Sequence, residues 1–138
     1  MKSALAGLAV LLLPAPAVAT EPIGQAGWFP GSSSIRETEA FPPAYRGRWA
    51  PTAQACADRD GVERIEVMAA GVDTYESGGR LERVTQAGQE RAIKVRLAYE
   101  GEGTVWDVTE TWTLGEAGDR LAVTDDASGT AVTLVRCR

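Results

Sequence analysis

The sequence predicts an all-β fold: a small antiparallel up-and-down barrel, or a barrel-like sandwich, of seven or eight strands. Three observations predict this class. Apolar and polar residues alternate with a period of two in several short segments, as they do in strands that bury one face. Glycines separate these segments at intervals of about ten residues. The connections are short enough to be hairpins, which favours antiparallel pairing.

The predicted domain contains one helical segment near its N-terminus. Pro51–Asp60 has the composition of one or two helical turns, whereas the residues after Gly61 follow a strand pattern. In Val62–Ala69, Ile65 and Val67 share one face. Glycines then mark turns between the next short segments. These turn positions are Gly71, Gly78, Gly79 and Gly88.

Two long strands and two shorter ones complete the pattern. Arg91–Tyr99 alternates cleanly, and Thr104–Leu114 follows it after a short turn. Arg120–Thr124 and Thr130–Cys137 are joined by a turn-rich segment at residues 125–129. In the two long strands, one face carries Ile93, Val95, Leu97 and Tyr99, followed by Trp106, Val108, Glu110, Trp112 and Leu114.

The chain is predicted to divide into an export signal, a spacer and one domain. Residues 1–19 combine Lys2, an apolar run and small residues before a cleavage site after Ala19, which is the pattern of a secretory signal peptide. Residues 20–44 are rich in Pro, Gly and Ser and show no periodicity. The single β domain is expected at residues 45–138. We therefore expect a periplasmic or secreted protein, a monomer without a membrane span.

The composition limits the chemistry. The formal net charge is −5, from 14 basic and 19 acidic residues, so no basic face for nucleic acid is expected. Histidine is absent, which excludes imidazole bases, Ser–His and Cys–His pairs and zinc sites that contain histidine. We expect no metal, no cofactor and no catalytic residue, and thus a protein that is not an enzyme.

Cys56 and Cys137 are the two cysteines of the chain. In an oxidising compartment, an even pair in a small domain indicates a structural disulfide. The two positions lack the CxxC spacing of redox and metal sites. We therefore predict a bond that ties the start of the domain to its last strand.

The start of the domain, Gly47-Arg48-Trp49, resembles the opening G-x-W motif of lipocalins and the wider calycin group. This resemblance implies that Gly47 and Trp49 close one end of the barrel. It also implies that an arginine near the last strand, Arg136 or Arg138, packs across the tryptophan.

The whole region is also similar to small exported bacterial proteins of uncharacterised type. That resemblance supports one domain with one disulfide and implies no activity. A similar architecture occurs in small bacterial inhibitors of proteases and lysozyme, which implies a second possible role. The shared pattern consists of Phe41-Pro42-x-x-Tyr45-x-Gly47-x-Trp49, Tyr75-Glu76-Ser77, Gly101-Glu102-Gly103 and Arg136-Cys137.

Glu110 is the most informative single residue, because its strand face is otherwise apolar. A buried carboxylate needs a partner, and Arg136 shares a face with Val132 and Leu134 on the last strand. Three interpretations stay open: a polar group in a ligand cavity, a Glu110–Arg136 pair at the barrel rim, or a β-bulge that turns Glu110 outward. Glu76 follows the inward face of its own segment, next to a turn.

The leading functional expectation is a non-enzymatic binding protein that holds a small apolar ligand in the barrel mouth. Its expected ligand-binding residues are Glu110, Arg136, Trp106, Tyr99 and Glu76. The alternatives are an inhibitor or interaction protein acting on an extracellular hydrolase, and an envelope protein without a ligand. The acidic charge and the exposed-looking Trp28-Phe29-Pro30 favour the inhibitor.

Overall fold

The computed structural model describes residues 34–88 and 90–138. These residues form nine strands, a 3-10 helix (Pro43–Tyr45) and one short α-helix, α1 (Ala53–Ala57). The predicted signal peptide and Trp28 lie outside the described residues. The strands are β1 (Ile35–Thr38), β2 (Gly47–Ala50), β3 (Ile65–Val67), β4 (Gly71–Asp73), β5 (Gly78–Ala87), β6 (Ala92–Gly101), β7 (Thr104–Leu114), β8 (Arg120–Asp125) and β9 (Ala131–Arg136).

Eight of these strands form a closed antiparallel barrel, which confirms the predicted fold class. Around the barrel the order is β5, β4, β3, β2, β9, β8, β7 and β6, and β6 pairs with β5 to close it. The closing ladder extends from Gly78 opposite Glu100 to Gln86 opposite Ile93. Strand β1 is the additional strand, which pairs with the second half of β5.

Helix α1 lies within the segment predicted to be helical. The Thr52 hydroxyl caps its first turn by accepting a hydrogen bond from the Ala55 N–H at 3.1 Å. Such a cap satisfies one of the amide groups that a helix start leaves unpaired. Cys56 lies on this helix and is bonded to Cys137, just after β9, with an S–S distance of 2.00 Å. The predicted disulfide is therefore present.

The second half of the predicted spacer differs from the expectation. Ile35–Thr38 forms β1, and Phe41 is fully buried. All four residues of β1 are exposed, so this strand shows no alternation of apolar and polar residues that could have revealed it. Because this short strand lies outside the barrel and buries neither face, its sequence is not required to alternate.

One end of the barrel is closed by the segment that precedes β2. Phe41 and Tyr45 lie in the core beside Trp49. The Phe41 ring is centred 4.9 Å from the Trp112 ring. The Trp49 indole Nε1 donates to the Tyr45 carbonyl oxygen at 2.9 Å, which satisfies the polar atom of a fully buried ring. We call this the closed end.

The opposite end, where β7 and β9 begin, carries exposed apolar residues. The ladders place Trp106 opposite Tyr99 and Val132 opposite Val123, all on the inner face by strand alternation. Even so, Trp106 is 40% exposed and Val132 is 51% exposed. Side chains fill the barrel farther inside, where Val95 and Leu97 are fully buried. We call the inner surface formed by Tyr99, Trp106, Val108, Glu110 and Val132 the barrel mouth.

Candidate functional site

A stacked aromatic pair is the main apolar feature of the mouth. Tyr99 and Trp106 face each other across β6 and β7, with ring centroids 5.6 Å apart and an interplanar angle of 11°. Tyr99 packs against the core, whereas Trp106 presents much of its ring to solvent. Such a pair offers a flat, rigid apolar surface at low cost in side-chain entropy.

Gly79 leaves the space that the Tyr99 ring occupies. A Cβ atom at Gly79 would lie only 2.8 Å from Cε1 of Tyr99, so any larger residue would displace the ring. The sequence pattern predicts only a turn at Gly79. The structure places it in β5, directly opposite Tyr99. The signal that could have revealed this is the alternation of β5, which directs Gly79 to the inner face.

Glu110 provides the carboxyl group of the mouth. It lies in the regular part of the β6–β7 ladder, opposite Val95, so no bulge turns it outward. Its Oε2 accepts a hydrogen bond from the indole Nε1 of Trp112 at 2.7 Å. That hydrogen bond gives the indole N–H of the buried Trp112 its partner.

The surroundings of Glu110 raise its pKa above the ordinary value for glutamate. Burial is the largest cause, and the nearby carboxylates of Asp125 and Asp126 add to it, while the hydrogen bond from Trp112 acts in the opposite direction. Burial, together with the charge of Glu110, also raises the pKa of Tyr99 to about 12. The Tyr99 hydroxyl is therefore neutral, and can donate a hydrogen bond, at physiological pH.

Replacing Glu110 by glutamine is expected to raise the free energy of unfolding relative to the parent chain, by an amount that grows as the pH rises. A free glutamate has a pKa of about 4.3, and the folded chain holds the Glu110 proton more tightly than that. The stability that the Glu110 side chain contributes is therefore complete below its pKa in the unfolded chain. That contribution is lost as the pH rises through its pKa in the folded chain. The glutamine still offers an oxygen to Trp112 but carries no charge.

Urea unfolding of Glu110→Gln and of the parent chain tests this expectation, from about pH 4, just below an ordinary glutamate pKa, to about pH 8. The stability difference should grow in favour of the variant as the pH rises and then level off. Glu100→Gln, which removes one carboxylate at an exposed position on β6, is the control for the loss of a charge. A constant difference across the pH range would contradict the role assigned to burial.

Arg136 does not pair with Glu110, so the proposed ion pair is wrong. Its guanidinium lies 4.1 Å from the centre of the Trp49 ring at the closed end. It donates to the carbonyl oxygens of Gly118, Arg46 and Ala44. Because the three carbonyls and the ring already occupy the guanidinium, it is not directed toward the mouth.

Gly47 allows this arrangement at the closed end. Its φ of +123° is a conformation that side-chain-bearing residues rarely adopt. An added Cβ would also lie 3.2 Å from Nη1 of Arg136. The structure thus brings Gly47, Trp49 and Arg136 together, and separates Arg136 from the expected ligand-binding group.

Glu76 lies outside the barrel interior. It is exposed in the turn between β4 and β5. Glu76, Glu102 and Trp106 line the same surface depression of about 240 Å³. Glu76 is therefore a rim residue of the mouth, whereas Glu110 and Tyr99 lie within it.

Two classes of feature are absent from the part of the chain that the structure describes. No group of three or more acidic or cysteine side chains is arranged to hold a metal ion there. Within the same residues, no helix has the length and apolar character needed to cross a membrane.

The chain matches no known family model, and no curated protein or solved structure shows significant similarity to it. The function of this protein is therefore inferred from the geometry and chemistry of its own residues.

Proposed function

We propose that this protein is an exported, non-enzymatic binding protein that holds a small, largely apolar ligand at the barrel mouth. The main support for this proposal is the stacked Tyr99–Trp106 pair, in which Trp106 is 40% exposed on the inner face of the barrel. The disulfide between Cys56 and Cys137 is compatible with an oxidising compartment.

The mouth combines the two elements that small-molecule sites usually contain. An apolar wall comes from the aromatic pair and from Val108 and Val132, and a few polar groups orient the ligand. The Glu110 carboxyl and the Tyr99 hydroxyl supply those groups. Because buried side chains fill the centre of the barrel, the ligand would lie at the mouth.

Trp106→Ala is expected to weaken binding of a neutral apolar probe, N-phenyl-1-naphthylamine, by about tenfold in Kd, because a central aromatic contact is lost. Fluorescence titration measures this change. Val105→Ala is the matched control, since Val105 is the next residue on β7 but is 69% exposed on the outer face. Equal affinities of both variants and the parent chain would exclude the mouth as the binding surface.

Native mass spectrometry of the chain exported to a periplasm tests whether a ligand is acquired in the cell. Extra mass in the native spectrum, absent from the denatured spectrum and from the Trp106→Ala variant, would support the proposal. Extra mass that the Trp106→Ala variant keeps would mean that the ligand binds elsewhere on the protein.

A further inference from the structure

Strand β7 has an edge that is paired over only half its length. On one side, β7 pairs with β6 from Thr104 to Thr113. On the other side, its ladder with β8 begins only at Glu110, opposite Asp125. One further hydrogen bond, from the Asp126 N–H to the Thr109 carbonyl at 2.9 Å, marks the limit of that contact. Residues 104–108 therefore have a strand on one side only, among the residues that the structure describes.

The hydrogen-bonding groups along this edge follow from the alternation of the backbone. In an antiparallel strand, the N–H and C=O of one residue point to the same side, and the next residue points to the other. Since the Thr109 carbonyl is directed to the β8 side, Val105 and Asp107 direct their main-chain groups to that side too. Neither residue has a main-chain partner there within residues 34–88 and 90–138. The edge thus presents donors and acceptors in strand spacing.

The side chains beside this edge are unusually apolar for an unpaired strand. Val105 is 69% exposed on the outer face and Trp106 is 40% exposed on the inner face. Soluble proteins normally protect such edges with charges, bulges or covering loops, because an open edge pairs readily with another chain. A strand added here would cover both side chains, one on each face.

The charge around the edge is negative. The basic groups nearby are already in ion pairs: Arg96 contacts Glu82 at 2.9 Å and Asp107 at 3.9 Å, and Lys94 contacts Asp126 at 3.0 Å. A second copy of this chain would bring the same acidic groups into the interface. The acidic residues at or near the edge are Glu100, Glu102, Asp107, Asp125 and Asp126, of which Asp107 and Asp126 are themselves the partners in two of those ion pairs.

We propose that residues 104–108 of β7, the β7 edge, bind an extended basic segment of a partner protein by strand addition. The added strand would lie end to end with β8 and hydrogen-bond to Val105 and Asp107, while its basic side chains face the acidic surroundings. Five residues of strand span about 17 Å, enough for one short peptide segment. This interaction differs from ligand binding in the mouth because its hydrogen bonds come from main-chain groups on the strand edge, although the added strand would also cover part of Trp106.

Amide hydrogen exchange on the exported, disulfide-bonded chain tests the proposal. The probe is a blocked hexapeptide of alternating lysine and valine. At a peptide concentration of about ten times Kd, protection of the Val105 and Asp107 amides should rise by about tenfold. A matching peptide of glutamate and valine should give no protection. Failure of the basic peptide to protect these two amides, or their full protection in the free chain, would overturn the proposal.

Two variants separate strand addition from charge attraction. Asp107→Pro removes the N–H on the open side and leaves the hydrogen bonds to β6 in place. Proline is tolerated at such edge positions. This variant should abolish the protection of the Val105 amide by the peptide. Asp107→Ala keeps the N–H and should retain that protection with weaker affinity. If the proline variant does not fold, a peptide N-methylated at alternate residues replaces it and should not protect the parent chain.

Dependence on protein concentration distinguishes the other possible occupant. Protection of Val105 and Asp107 that rises with protein concentration in the absence of peptide would identify a second copy of this chain at the edge. That result would overturn the assignment to a basic partner. Equal loss of protection in both Asp107 variants would show that the peptide binds through charge attraction alone, which would overturn strand addition.

Discussion

Replacing Cys56 and Cys137 together by alanine is expected to lower the free energy of unfolding by about 4 kcal/mol. The bond joins positions 81 residues apart, so it greatly restricts the unfolded chain. It also holds α1 against the barrel. A helix of five residues is far too short to be stable by itself, and the cap at Thr52 contributes only about 1 kcal/mol.

Urea unfolding measures this effect as a shift of the midpoint. With a slope of about 1–3 kcal/mol per molar urea, the expected loss moves the midpoint by about 1–4 M. The parent chain with its disulfide reduced is the control, and it should unfold at nearly the same urea concentration as the double variant. A double variant as stable as the oxidised parent would show that the bond adds nothing to the stability of the barrel.

The strands of the barrel could be predicted because most of them bury one face. Alternation over residues 91–99 and 104–114 corresponds closely to β6 and β7. The disulfide could be predicted because two cysteines allow only one pairing. In these cases the physical constraint acts on residues that are close in sequence, or on a residue type that is rare in the chain.

The details of the mouth and the closed end depend on contacts between distant segments, which one sequence does not specify. Arg136 shares a strand face with apolar residues, and nothing local distinguishes a carboxylate partner from carbonyl partners about 90 positions away. Glu110 and Trp112 are only two residues apart, yet their hydrogen bond depends on side-chain rotamers. Gly79 has the sequence context of an ordinary turn glycine, and only the register of β5 against β6 places it opposite Tyr99.

Replacing Arg136 by methionine is expected to destabilise the fold by about 3 kcal/mol, because hydrogen bonds to charged groups contribute about 1.5–3 kcal/mol each and solvent can replace part of that. The guanidinium joins the segment before β2, through Arg46 and Ala44, to the turn after β7, through Gly118. It also covers the Trp49 ring. Methionine keeps an unbranched apolar stem, although a shorter one, and donates to none of these carbonyls.

Arg136→Lys tests whether charge alone is sufficient. A lysine ammonium is compact and lacks the planar fork that reaches three carbonyls on two segments at once, so less than half of the lost stability should return. Arg120→Met, at an exposed position of β8, is the control and should change stability by no more than about 0.5 kcal/mol. Full recovery with lysine would mean that a positive charge near Trp49 is what matters. Recovery of less than half would mean that the fixed directions of the guanidinium donors hold the closed end together.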